Sequence, residues 1–224
     1  MRITALLLVA AFAACTTKTE APADSAAGAV GTNADPDIAA SGNGIPSGYT
    51  VITDDTTAAL TSIRYEAKEG GWDVTTGPAH IIFSDRDSAS GTYTVSSTFS
   101  QLEAPRHPEA YGLIFGGRDL QRPNRAYTYF VVRGTGEFLI RVREGAKTRD
   151  VMKWTANAAL PKQDASGKAT YRLAARVAPD SVRFLVNDTQ VAAVRSGDVL
   201  TTGVAGLRVN HNLHVLTAPA SISR

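Results

Sequence analysis

Between Arg118 and Arg149 the chain carries eight Lys or Arg residues against three acids, a net of +5. Tyr127, Tyr129 and Arg133 share one parity within an alternating run, and Arg141 and Arg143 share one parity in the next. On extended backbone, equal parity means a common face. Aromatic rings beside guanidinium forks can stack on sugar rings and grip hydroxyls or carboxylates, and the same forks suit phosphate. The plainer reading is a solvated sheet face that holds no ligand. On the sugar reading, Tyr129→Ala costs affinity but not folding.

A second group is Asn210-His211-Asn212, three hydrogen-bonding side chains at the end of an apolar run. They suit the lining of a sugar or metal site, or a loop held by local Asx-type bonds. His211 and His214 are three apart, which on a strand points them to opposite faces, so joint chelation needs a bend at Asn212. His80, inside an apolar run, reads as a buried histidine with satisfied nitrogens, and His107, beside Pro105 and Pro108, as a loop residue. Ser84-Asp85-Arg86-Asp87-Ser88 followed by Gly91 offers carboxylates and hydroxyls for calcium, with Asp85 and Asp87 as the ligands, but lacks the later bidentate Glu of an EF-hand. A simple turn is the plainer reading. No other cofactor is indicated.

The acids closest to strand alternation are Glu103, Glu109, Glu137 and Glu144. Glu137 has two readings, a catalytic acid or the partner of a nearby arginine across a strand pair. Gly-x-Ser-x-Gly, the P-loop, the dinucleotide loop and His-Glu-x-x-His are absent, and no Ser-His-Asp order suggests a triad. The catalytic residues, if any, stay unknown at this level.

The elements that must position these groups are strands. Period-2 alternation recurs in residues 79–83, 93–99, 111–115, 127–133, 137–143, 170–177, 181–187, 190–194, 204–209 and 213–216. Turn chemistry separates them: Arg133-Gly134-Thr135-Gly136, Ala178-Pro179-Asp180 and Asn187-Asp188-Thr189. Residues 53–64 and 153–160 could each hold a short helix. Ten or more short strands with almost no helix predict an all-β, antiparallel two-sheet jelly-roll sandwich, with a closed barrel as the alternative. The parity places Phe138, Ile140 and Val142, then Tyr171, Leu173, Ala175 and Val177, then Val182, Phe184 and Val186 between the sheets. The residues that alternate with them should reach solvent.

The order of motifs resembles the concanavalin-like (laminin-G/lectin-type) sandwiches, nearest the bacterial 3-keto-disaccharide hydrolase-like group. It is carried by Trp72-Asp73-Val74, the run Tyr111 to Gly117, Tyr127-Thr128-Tyr129-Phe130, the run Val182 to Asn187, and the closing run Gly203 to Val209. Asp188 stands where that group usually has Gly, and Asn212-Leu213-His214-Val215 replaces its Phe-Arg-Asn-Ile strand. The resemblance covers residues 72–216 and implies a lectin-like domain that binds carbohydrate. It alternatively implies a glycoside or 3-keto-disaccharide hydrolase, and a third reading, independent of the resemblance, is a non-catalytic envelope scaffold or protein-interaction module. A retaining β-glucanase of that fold class would carry Glu-x-Asp-x-x-Glu on one strand, and this chain has no such triplet. A hydrolase would need converging acid/base residues, such as Glu137 with Asp119 or His211.

The N-terminus sets the expected location. Arg2, an apolar run from Leu6 and Phe12-Ala13-Ala14-Cys15 read as a signal peptide over residues 1–14. Its end resembles a bacterial lipobox, with Phe12 where Leu is usual. The resemblance implies that Cys15 is acylated and holds the protein on a membrane through its acyl chains. With Thr16 and Thr17 following, the outer membrane is the expected destination in a cell that has two membranes. The alternative is a plain secretory cut that leaves Cys15 as a thiol. Residues 16–48 contain no aromatic residue and are rich in small and polar types, so 15–48 is read as the lipidated cysteine and a disordered tether. As a coil the tether would span about 30 Å. The sandwich is expected over 49–218, with 219–224 as a tail.

The 224 residues carry a formal charge of +2 and a single cysteine. An intramolecular disulfide and a cysteine-rich zinc site are thereby excluded. The near-neutral charge, with no nucleic-acid motif, argues against a nucleic-acid partner.

Overall fold

The alternation is realised as fifteen strands in a computed structural model that describes residues 36–37 and 44–224. The expected signal peptide 1–14, Cys15 and most of the expected tether lie outside the described residues. In chain order the strands are β1 (Thr50–Thr53), β2 (Ile63–Lys68), β3 (Gly71–Thr76), β4 (His80–Ala89), β5 (Tyr93–Gln101), β6 (Ala110–Arg118), β7 (Ala126–Arg133) and β8 (Glu137–Glu144). They continue as β9 (Lys147–Ala156), β10 (Ala169–Val177), β11 (Ser181–Val186), β12 (Thr189–Arg195), β13 (Gly203–Val209), β14 (Leu213–Thr217) and β15 (Ser221–Ser223). All pairings are antiparallel. One sheet runs β1-β4-β13-β6-β7-β8-β9, and the other runs β12-β11-β10-β5-β14-β3-β2 with β15 also on β5. This is the two-sheet jelly roll, open at its edges rather than closed as a barrel.

The main core lies between the sheets. Phe138, Ile140 and Val142, Tyr171, Leu173, Ala175 and Val177, and Val182, Phe184 and Val186 all pack there, as their parity requires. The hairpin chemistry holds as well. Asn187 and Asp188 both take positive φ (49° and 64°) in the two-residue β11–β12 turn, where Asn and Asp are tolerated. Gly136 closes β7–β8 at φ 86° and donates its N–H to the Arg133 carbonyl at 3.0 Å. His80 is fully buried, its Nε2 2.6 Å from the Tyr65 hydroxyl and its Nδ1 3.1 Å from the Pro78 carbonyl.

Four expectations are corrected. Residues 53–64 give only a 3-10 turn (Leu60–Ser62), flowing into β2. Residues 153–160 continue β9 and then turn. The supposed calcium turn at Ser84–Ser88 is not a turn but the outer half of β4, because cross-strand pairing with β13 carries the strand on to Ala89. Residues 219–224 are not a free tail, since Ser221–Ser223 pairs with Ser96, Val95 and Thr94 of β5.

The partners of the inward residues do not all reach solvent either. Leu139, Leu185 and Ala174 are buried although they face away from the main core. On the seven-stranded sheet the reason is a second apolar cluster on the far face, in which Ile81, Phe83, Ile114, Tyr127, Tyr129, Val131 and Leu139 pack.

Candidate functional site

That far face is concave, and side-chain contacts show how tightly it curls. Asp54 follows β1, and Arg143 lies on β8, five strand positions away. At the usual spacing that is about 24 Å along the sheet. Yet Arg143 Nη1 donates to Asp54 Oδ1 at 3.1 Å. Arg208 of β13 reaches the same carboxylate with both Nη atoms (3.2 and 2.5 Å), and Arg125 donates to the Thr53 carbonyl at 3.3 Å. A contact between the β1 edge and the strand next to the other edge requires the corner carrying β1 to fold over the face towards the start of β7 and the end of β8, as strong twist allows. Burial pushes the Asp54 carboxyl up, but Arg208, Arg143 and Arg125 outweigh it and hold the carboxyl below its ordinary range. Burial alone would lower Arg208, and Asp54 reverses this and raises it.

The tyrosines form the floor beneath this clasp. Tyr127 and Tyr129 have ring centroids 5.8 Å apart. The Arg208 guanidinium donates to the Tyr127 hydroxyl at 3.4 Å and lies 5.2 Å from the Tyr129 ring centroid. Tyr127 is 1% and Tyr129 6% exposed, so neither presents a free ring face. Arg141 pairs with Asp150 of β9. Arg133 pairs with Glu137 at 2.8 Å and stacks over Trp154 at 4.2 Å. Its hydrogen bond to Arg133 holds the Glu137 carboxyl below its usual range. Glu137 is therefore the ion-pair partner of an arginine, directly opposite it in the β7–β8 register.

Sequence parity groups Tyr127, Tyr129 and Arg133 on one strand and Arg141 and Arg143 on the next, and the β7–β8 register sets Tyr127 opposite Arg143 and Tyr129 opposite Arg141, so all five share one face. The structure does not bring the Asn210–Asn212 group to them. Asn212 bends the β13–β14 connection at φ 52° and donates to the Pro36 carbonyl at 3.1 Å. His211 Nδ1 lies 3.1 Å from Glu109, while His214 Nε2 lies 2.9 Å from Asp73, so the two histidines diverge to different partners. The Asn210 N–H donates to the Ala110 carbonyl. Among the described residues no group of three or more His, Cys, Asp or Glu side chains converges as a metal site requires.

The concave face opens in a cavity of about 520 Å³ that sequence reasoning missed. Phe83, Leu120 and Val204 form its apolar floor, and Asp85, Asp119, Gln121 and Arg122 converge over it. Two backbone features build it. A bulge in β6 falls at Gly116 (φ 63°), where a Cβ would sit 2.2 Å from the Leu200 carbonyl oxygen, so only glycine fits. The loop beyond turns back through Asp119 at φ 51°, and Asn124 donates to the Asp119 carboxylate at 3.0 Å. Asp85 comes from the outer half of β4, where an irregularity in the pairing with β13 breaks the alternation beyond Phe83. Asp87, the other residue expected to bind calcium, does not line the cavity. Sequence reasoning singles out Asp85 for calcium and Asp119 for a hydrolase, but nothing in the sequence brings the two to one cavity.

No protein-family model matches this chain, and no curated protein matches it. Solved structures do. The carbohydrate-binding module CBM66 from Bacillus subtilis is 15% identical with a TM-score of 0.56, over 79% of this chain and 96% of that one. A Bacillus subtilis protein of unknown function with a galectin-like fold is 14% identical with a TM-score of 0.57, over 78% and 88%. A Bacteroides ovatus mixed-linkage glucan GH16 protein, solved with a glucan product, is 8% identical with a TM-score of 0.55, over 78% and 94%. These likenesses establish the fold: a galectin-like, concanavalin-like β-sandwich.

Proposed function

We propose that the protein binds carbohydrate in the cavity at the mouth of its concave face. One observation carries the reading: carboxylate, amide and guanidinium groups converge over an apolar floor in a space of sugar-binding size. Asp85 and Asp119 accept from ring hydroxyls and Gln121 both accepts and donates, while half-buried Val204, backed by the buried Phe83 and Leu120, meets the apolar face of the ring. Arg133, Arg141 and Arg143, with Tyr127 and Tyr129, shape the trough behind the cavity rather than stack on the ligand. The carbohydrate-binding module and the glucan-complexed protein among the structural neighbours support the ligand class.

The same reading sets the protein in the bacterial envelope, acylated at Cys15 and most naturally on the outer membrane. The support is the sequence Phe12-Ala13-Ala14-Cys15 and the composition of residues 16–48. A second reading has one specific observation in its favour. Asp85 and Asp119 line one cavity, and glycoside hydrolysis uses two carboxylates. The resemblance to the 3-keto-disaccharide hydrolase-like group points the same way.

The test is to incubate the purified chain with a panel of bacterial and plant glycans and measure both binding and release of reducing ends. Saturable binding without turnover supports the module. Turnover abolished by Asp119→Asn supports the hydrolase. Absence of both across the panel, with the chain shown folded, rejects the site.

A further inference from the structure

The outer face of the eight-stranded sheet holds a like-charge pair that folding alone does not explain. Arg176 of β10 and Arg183 of β11 are directly opposite each other in the register. Both point away from the core, because their neighbours Ala175, Val177, Val182 and Phe184 point into it. Directly opposed like charges, with Cβ atoms about 5 Å apart, destabilise a sheet. Several arginines elsewhere on the sheets are answered by carboxylates: Arg172 by Asp188, Arg195 by Asp198, Arg141 by Asp150 and Arg208 by Asp54. Arg176 and Arg183 make no ion pair or side-chain hydrogen bond among the described residues, yet both line a cavity of about 450 Å³.

The rest of that cavity has a definite chemistry. The row continues across the sheet from Arg176 to Thr94 and then to Ser223. Arg224 adds a third guanidinium. Asp180 is the one acidic side chain in the lining, and it already accepts from the Ser181 hydroxyl at 3.0 Å. Two adjacent forks can grip a carboxylate or a phosphate through paired N–H donors. A free phosphate would leave most of 450 Å³ unfilled, whereas the hydroxyls of Thr94 and Ser223 match the ring hydroxyls of a sugar.

We infer that this cavity is a second binding site, for a carboxylate-bearing saccharide, with Arg176 and Arg183 holding the carboxylate. It lies on the opposite sheet from the concave-face cavity and does not depend on that site being occupied. Two sites on opposite faces would let one domain bridge two glycan chains.

The test is calorimetric titration of the purified chain with trigalacturonate, its neutral methyl ester, inorganic phosphate and phosphatidylglycerol vesicles. The expected result is saturable binding of trigalacturonate, at least tenfold weaker for the ester, that weakens with salt. Arg176→Gln and Arg183→Gln should each weaken it at least tenfold while Tm holds or rises by about 2 °C, because repulsion is relieved. Asp85→Asn with Asp119→Asn should leave it unchanged, which separates this site from the concave one. Equal binding of acid and ester, no trigalacturonate binding, or preference for phosphate or vesicles overturns the assignment. So does a fall in Tm in both arginine variants with affinity intact, which would make the pair structural.

Discussion

The Asp54 carboxylate and the Arg143 guanidinium meet at 3.1 Å across a sheet in which five strand positions separate their elements. Arg208 joins the same carboxylate from the middle of the sheet. This clasp fixes the curl of the concave face, and the curl buries the tyrosines and leaves the cavity at its mouth.

Removing the clasp should loosen the fold. Asp54→Asn leaves Arg208, Arg143 and Arg125 close together without their counter-charge. About a third of the Asp54 side chain is still exposed, so the loss should fall below the range for fully buried pairs, at about 2 kcal/mol. Urea unfolding of the variant checks this, and an unchanged midpoint would show that the contact does not hold the sheet.

Acid should act on the fold in two windows. Burial lowers the His80 pKa to about 4, against an ordinary value near 6.5. The unfolded chain then binds the proton more readily, so stability is full above about pH 6.5 and falls as the pH drops towards 4, by about 3 kcal/mol in all. The Asp54 carboxyl, held below its ordinary range, contributes stability above that range and loses it only at lower pH. Denaturant midpoints from pH 3 to 8 should show both phases, and His80→Gln should flatten only the upper one.

Tyr129→Ala should cost folding. At 6% exposure, with Tyr127 and Arg208 packed on its ring, Tyr129 is part of a core. Truncation of a buried aromatic costs about 3–5 kcal/mol. Sequence parity alone predicts the opposite, lost affinity with folding intact. A thermal melt of the variant decides between the two.

Gly116→Ala should disrupt the mouth of the cavity. Its positive φ, and a Leu200 carbonyl oxygen only 2.2 Å from where a Cβ would stand, leave no room for a side chain. A drop in Tm together with weaker glycan binding is expected, and a neutral result would mean that the bulge is not needed.

Ten strands were legible from alternation because one face of each meets the main core. Strand β9 was not, since it is an edge strand whose exposed positions carry Lys147, Arg149, Asp150 and Lys153, a pattern that protects edges but hides periodicity. The common face of Tyr127, Tyr129 and Arg133, and that of Arg141 and Arg143, were each legible because parity within a strand depends only on the backbone. The burial of Tyr127 and Tyr129 was not, because it comes from a corner of the sheet more than seventy residues earlier in the chain, at Asp54. The cavity was hidden for a similar reason: Asp85 and Asp119 belong to different parts of the sheet, and only the curl and the Gly116 bulge bring them to one mouth.

The most direct test of the central claim is glycan affinity in the purified chain with and without Asp85→Asn and Asp119→Asn. The account predicts saturable binding of at least one glycan in the parent, and at least a tenfold loss in each variant with Tm unchanged. Parent affinity retained in both variants would contradict it.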